Sequence, residues 1–261
     1  MSEFVEVAPG VLVATHDYST TTTVVLDGSD GALVIDPAIS VTQIDAMAAT
    51  LRGWGRAIRA GFATHWHWDH VLWRPALGDA PRYASAATIT LAQRHAAANA
   101  AEAAESGLEV DVAWCTDLVT LQTDEIPWDG PAAVVTVHDG HAAGHSAVFL
   151  PGSGVLVAGD MLSDIEVPIL DLDTESPVDD YAHGLELFAD LADQVQVVVP
   201  GHGGIGDGPA LRRRISADLR YLDDLTAGRP SADPRLAGAP EWLRTHHHNT
   251  ATMLQGLASD S

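Results

Sequence analysis

Apolar residues along this chain recur with two periods. β-Branched runs at 11–14, 22–26 and 32–35 predict an opening strand meander, its last two members joined by the turn Asp27-Gly28-Ser29-Asp30-Gly31. Helical spacing then sets in over 41–52, with Ile44, Met47, Ala48 and Leu51 on one face and Gly53 as the stop. An Ala-rich helix is predicted over 85–105, capped by Ser85 and by Gly107. Two amphipathic helices follow, over 178–193 with Tyr181, Leu185, Phe188 and Leu191, and over 209–227 with Leu211, Ile215, Leu219 and Leu222. A terminal helix near 241–257 closes the chain. Apolar runs at 57–64, 134–137, 155–157 and 195–199 supply further strands. Strands, then helices, then strands and helices again fit an α/β fold built from two halves facing each other.

Several of those runs end alike. A β-branched segment leads to Gly and then to one side chain able to bind metal: Gly144-His145, Gly159-Asp160 and Gly201-His202. The run at 57–64 leads in the same way to His65. Each is a strand ending in a tight loop that presents a side chain at the sheet edge. One such step is weak evidence, but four that converge make a site.

The densest of these endings is His65-Trp66-His67-Trp68-Asp69-His70. Clustered imidazoles and a carboxylate lose hydration and need compensation, which a divalent metal provides directly. His65 and His67 leave a strand pointing to one side, whereas the adjacent Asp69-His70 step turns its ligands another way. Two directions imply two metals.

With these residues the chain resembles the metallo-β-lactamase-fold hydrolases, in the branch with a bridging Asp that includes glyoxalase II-like and lactonase-like enzymes. The resemblance runs from about Val7 to Gly208. It implies a four-layer αββα sandwich with the site at one edge of two sheets. It also implies that His65, His67 and His145 bind one metal, that Asp69, His70 and His202 bind a second, and that Asp160 bridges them. Asp36 matches a position that supports the metal-binding histidines from behind. Many β-lactamases carry Cys or Ser where this chain has Asp160, which makes β-lactam hydrolysis the lesser alternative. His141, four residues before His145, is the competing choice for the third histidine.

Composition fits one domain over 1–261, with a helical extension at about 209–261. No linker divides the chain, no signal peptide opens it, and no run approaches a membrane span. Cys115 is the sole cysteine, which points to a reducing, cytoplasmic compartment. Thirteen Lys+Arg against 36 Asp+Glu give a net charge of −23, and all thirteen are Arg. That acidic field argues against nucleic acid, and the lack of Lys excludes Schiff-base chemistry. Oligomeric state is left open by the sequence.

The expected reaction is hydrolysis of a small molecule by hydroxide held between two divalent ions, with Asp69 and Asp160 as the catalytic carboxylates. Zinc is the simplest choice, and His/Asp ligands accept iron or manganese too. No Ser or Cys nucleophile motif is present. Trp66, Trp68 and Trp73 either wall a substrate cleft or pack behind the metals. The apolar loop at 161–170 is placed to shape the substrate site. A neutral, partly hydrophobic ester, thioester or lactone suits these surroundings better than an anion. The alternatives of other classes are a mononuclear-iron oxidoreductase resembling sulfur dioxygenases, and a non-catalytic metal-binding protein. His95 and His183 read as packing or surface residues, and His247 or Asn249 as either pocket lining or a solvated helix.

Overall fold

The computed structural model describes residues 4–17, 19–37, 39–105 and 111–259. Seven strands form the first sheet in chain order: β1 (Phe4–Ala8), β2 (Val11–Thr15), β3 (Thr22–Gly28), β4 (Gly31–Ile35), β5 (Ile58–Phe62), β6 (Arg82–Ala84) and β7 (Val119–Thr120). The first four pair antiparallel and the remainder parallel. The second sheet holds β8 (Val134–His138), β9 (His145–Leu150), β10 (Val155–Val157), β11 (Val197–Val199) and β12 (Gly206–Asp207), in the order β12-β11-β10-β9-β8.

Strand periodicity sorts the apolar residues into three layers. Val24, Leu26, Leu33 and Ile35 face Val148, Leu150, Val155 and Val157 between the sheets. Their neighbours Val25, Ala32 and Val34 turn the other way, onto Ile44, Met47 and Leu51 of α1 (Val41–Gly53). On the far side, Phe149, Leu156 and Val198 meet the helices that follow Asp160. Because side chains alternate across a strand, this partition requires helices on both outer faces. The result is a four-layer αββα sandwich, and each fully buried Leu or Ile in it contributes about 1.5–3 kcal/mol.

The first outer layer comprises α1, the short α2 (Trp68–Val71), α3 (Ala86–Arg94), α4 (Ala96–Glu105) and α5 (Ala113–Thr116). Ser40 and Gln43 close α1 with a capping box. The single helix expected over 85–105 is two helices, broken at His95, whose ring lies 4.7 Å from that of Trp66. Asn99 Nδ2 donates to Trp66 O, so both halves grip the signature loop. The proposed cap Gly107 lies outside the described residues. The opposite layer holds α6 (Pro177–Leu191), α7 (Gly208–Thr226) and α8 (Glu241–Ser259). Among the described residues, no helix is long and apolar enough to cross a membrane.

Candidate metal centre

The ends of β4, β5, β8, β10 and β11 open onto one edge of the sandwich, carrying Asp36, residues 65–70, His141, Asp160 and His202. Hydrogen bonds to backbone carbonyls stitch the two sheets together there. Ser146 N donates to Thr64 O, Thr22 N donates to Gly201 O, and Thr22 Oγ1 donates to Pro200 O. Gly201 N donates to Gly159 O, which holds the two Gly–ligand loops side by side. Strand ends fixed in this way place side chains more rigidly than free loops would.

Two groups result, His65, His67, His141 and Asp160 on one side and Asp69, His70 and His202 on the other, with potential ligand atoms within 4.8 Å of one another in each. Asp160 faces both groups. Its Oδ2 lies 3.5 Å from His65 Nε2 and 3.6 Å from His141 Nε2, while Oδ1 lies 3.1 Å from His70 Nε2. His202 Nε2 is 3.3 Å from both Asp69 Oδ2 and Asp160 Oδ2. His141 Nε2 is 3.1 Å from His67 Nδ1, and His70 Nε2 is 3.4 Å from His202 Nε2.

Those separations fit metal coordination. Two ligand atoms each about 2.0–2.1 Å from a shared tetrahedral ion sit about 3.3 Å apart. Imidazole nitrogens this close, without protons between them, otherwise repel. His65 Nε2 is buried with no hydrogen-bond partner, and Asp160 Oδ1 has only the His70 ring at 3.1 Å beside it, a costly state that coordination would relieve. The donor set of neutral imidazoles and carboxylates suits a divalent cation.

His145 does not join either group. Its Nε2 accepts the backbone N–H of Asp160 at 3.0 Å, and its Nδ1 lies 3.3 Å from His138 Nε2. Both its nitrogens are engaged, and His141 stands in the candidate group where His145 was expected. The other candidate ligands follow the end of a strand, as Gly140-His141 follows β8, whereas Gly144-His145 opens β9.

Partners behind the centre hold its rings. Asp36, at φ 48°, accepts from Thr64 N and Thr64 Oγ1 and lies 2.9 Å from His70 Nδ1. His141 Nδ1 faces Ile169 O at 3.0 Å, and His202 Nδ1 faces Ser19 O at 3.0 Å. Each contact leaves Nε2 aimed at the centre. Asp36 was legible from the sequence; the two carbonyls carry no residue-type signal.

Electrostatics favour a cation. Burial pushes both carboxyls up, yet His202, His70 and His65 hold Asp160, and His70 and His202 hold Asp69, below the usual carboxylate range. Burial opposes charge on His70 and His202, but Asp160 and Asp69 raise both overall. Burial pushes His141 down to about 3 and also lowers His67, leaving these rings neutral as ligands must be. Two buried carboxylates therefore demand adjacent positive charge.

The remaining residues separate clearly. Trp68 and Trp73 pack behind the centre in the core beneath α1, and Trp73 Nε1 donates to Gly78 O. Trp66 is half-buried between His67 and His95. Cys115 is buried, and burial pushes its thiol up to about 11, away from nucleophile chemistry. His183 is exposed beside Glu186, His247 lies 2.9 Å from Tyr221 Oη, and Asn249 is exposed. In the loop after Asp160, Val167 and Leu170 are buried and Ile165 is exposed.

A family model for the metallo-beta-lactamase superfamily matches residues 17–202. The metallo-beta-lactamase type 2 of Bacteroides fragilis is 29% identical over 209 residues, covering 75% of this chain and 77% of that protein. Among solved structures, a beta-lactamase domain protein from Burkholderia ambifaria superposes with a TM-score of 0.71 at 18% identity, covering 99% of this chain and 88% of its own. A metallo-beta-lactamase from Pontibacter korlensis gives 0.62 at 21% identity, covering 84% and 99%. The sec-alkylsulfatase Pisa1 from Pseudomonas sp. gives 0.66 at 15% identity, covering 87% of this chain and 42% of that one.

Proposed function

Because the chain belongs to the metallo-β-lactamase superfamily and is a metal-dependent hydrolase, we propose that it holds two divalent ions and cleaves the carbonyl of a neutral, partly hydrophobic ester, thioester or lactone. The observation that carries this reading is the Asp160 carboxylate, which lies between the two histidine-rich groups and faces both. His65, His67 and His141 would hold one ion, Asp69, His70 and His202 the other, and Asp160 would serve both. Zinc suits these ligands, and iron or manganese would also be accepted. We also place the protein in the cytoplasm, on its single buried cysteine, and take residues 209–261 as a helical extension of one domain, because Leu211, Leu222 and Leu243 share a core with Leu156.

Divalent ions at this edge supply Lewis acidity toward the scissile carbonyl and lower the pKa of water for use as nucleophile. The chain's own residues supply the positioning. Asp36 fixes the His70 ring, Ile169 O fixes His141, and Ser19 O fixes His202, so the site is organised before substrate arrives. Asp69 is the more exposed of the two carboxylates and stands where it can orient a nucleophile or take its proton. Ile165 offers apolar surface in the loop after Asp160. The acidic surface disfavours phosphodiesters and the two carboxylates of glutathione thioesters.

β-Lactam hydrolysis is the second reading, supported by the Bacteroides fragilis relative. A hydrolysis panel of aryl esters, acyl-lactones, thioesters, glutathione thioesters, β-lactams and phosphodiesters tests both. The highest kcat/KM should fall on a neutral ester, thioester or lactone. A maximum on glutathione thioesters or phosphodiesters would overturn the substrate class, and one on β-lactams would establish the second reading. One iron per chain with oxygen uptake would replace hydrolysis by oxidation.

A further inference from the structure

Away from the metal centre, α7 and the segment at 231–235 enclose a cavity of about 530 Å³. Four of the chain's thirteen basic residues, Arg213, Arg214, Arg220 and Arg235, line it. In a protein of net charge −23 such a concentration runs against the overall field. The acidic groups of the same wall are already engaged. Asp233 pairs with Arg235 at 2.8 Å, Asp224 lies 2.9 Å from Arg229, and Asp164 accepts from Gly204 N at 2.7 Å while lying 3.5 Å from Arg214. Arg235 is spent too, donating to Asp218, Asp233, Ser163 O and Glu166 O.

Positive charge is left over at two places. Arg220 makes no ion pair within 4 Å among the described residues, although Asp233 lies in its field, and Arg213 has only an exposed contact of 3.8 Å with Asp207. Both guanidiniums border a space large enough for a small organic molecule, beside the buried Arg214. We propose that this cavity is a binding site for a small phosphate- or carboxylate-bearing anion, held by Arg213 and Arg220 through charge-assisted, bidentate hydrogen bonds. The site is separate from the metal centre but adjoins it. Arg214 reaches from the cavity wall to Leu162 O and Gly204 O, in the loops that carry Asp160 and His202.

The test is calorimetric titration of the metal-loaded protein with inorganic phosphate and with acetate, in sodium chloride of matched ionic strength. Wild type is compared with the double variant Arg213→Gln/Arg220→Gln. Both positions are exposed, so the variant should melt at the wild-type temperature in chloride, which checks its fold. Saturable binding that weakens at least tenfold in the double variant is the expected result. Phosphate tighter than acetate identifies a phosphorylated ligand, and the reverse a carboxylate. Equal phosphate affinity in the two proteins would place the anion at the metals and overturn the proposal, as would no saturable binding to wild type.

Discussion

His145 Nε2 accepts the backbone N–H of Asp160 at 3.0 Å, which places this histidine to hold the chain that carries the proposed shared carboxylate and leaves it outside both candidate ligand groups. His141, four residues earlier, points its Nε2 at His67 and Asp160. The two histidines should therefore fail differently. His141→Ala removes a ligand and should lower metal content and kcat together. His145→Ala should keep both ions and lose about 10–100-fold in activity, the usual cost of a supporting partner. Metal analysis beside kcat separates them, and a His145→Ala protein short of one metal would reverse the assignment.

Gly201 has no room for a side chain. A Cβ there would stand 2.0 Å from Asp160 Oδ1 and 3.0 Å from His70 Cε1. Gly201→Ala should displace the carboxylate from one group or both and reduce activity by more than about tenfold. Far-ultraviolet circular dichroism should stay native, because the clash is confined to the sheet edge. Full activity in this variant would show that the position of Asp160 is not critical.

Asp36 orients His70 at 2.9 Å while accepting two bonds from Thr64. Asp36→Asn keeps the shape but puts an amide where one of those acceptors stood. Metal affinity should fall by about 10–100-fold, measured by competition with a chromophoric chelator. An unchanged affinity would remove Asp36 from the site.

Asp218 lies buried against Arg235 at 2.6 Å, with its second oxygen unpartnered. Burial raises its carboxyl to about 6 despite the arginine. In the unfolded chain it titrates near the ordinary carboxylate value, so between about pH 4 and 6 the folded state binds the extra proton. Its contribution to stability therefore falls as pH rises through that window, by at most about 1.4 kcal/mol per pH unit. Asp218→Asn should remove this slope, so the stability of wild type relative to the variant should decline from pH 4 to 6. A constant difference in denaturant midpoints across the window would contradict it.

Much of this was legible from the residues because the layers follow strand alternation. The runs at 22–26, 32–35 and 155–157 are strands that separate the core between the sheets from the two outer ones. Six of the seven expected positions come together at one edge because each lies just beyond the end of a strand, Asp160 and His202 directly behind a glycine. His145 stands outside both groups because two Gly–His steps, Gly140-His141 and Gly144-His145, lie four residues apart, and choosing between them requires knowing that β9 begins at His145. The break at His95 was hidden for another reason. Alanine favours a continuous helix, and the contacts with Trp66 that accompany the break are tertiary. Strands as short as β7 and β12 carry too few residues for a period to register.

Both groups, His65/His67/His141 and Asp69/His70/His202, should hold an ion, with Asp160 between them. Elemental analysis of protein purified without chelator and then saturated with zinc tests it most directly. Close to two metals per chain are expected, falling toward one in His202→Ala, with activity lost on dialysis against chelator and restored by the metal. A wild-type content that stays at one under saturating metal would contradict it.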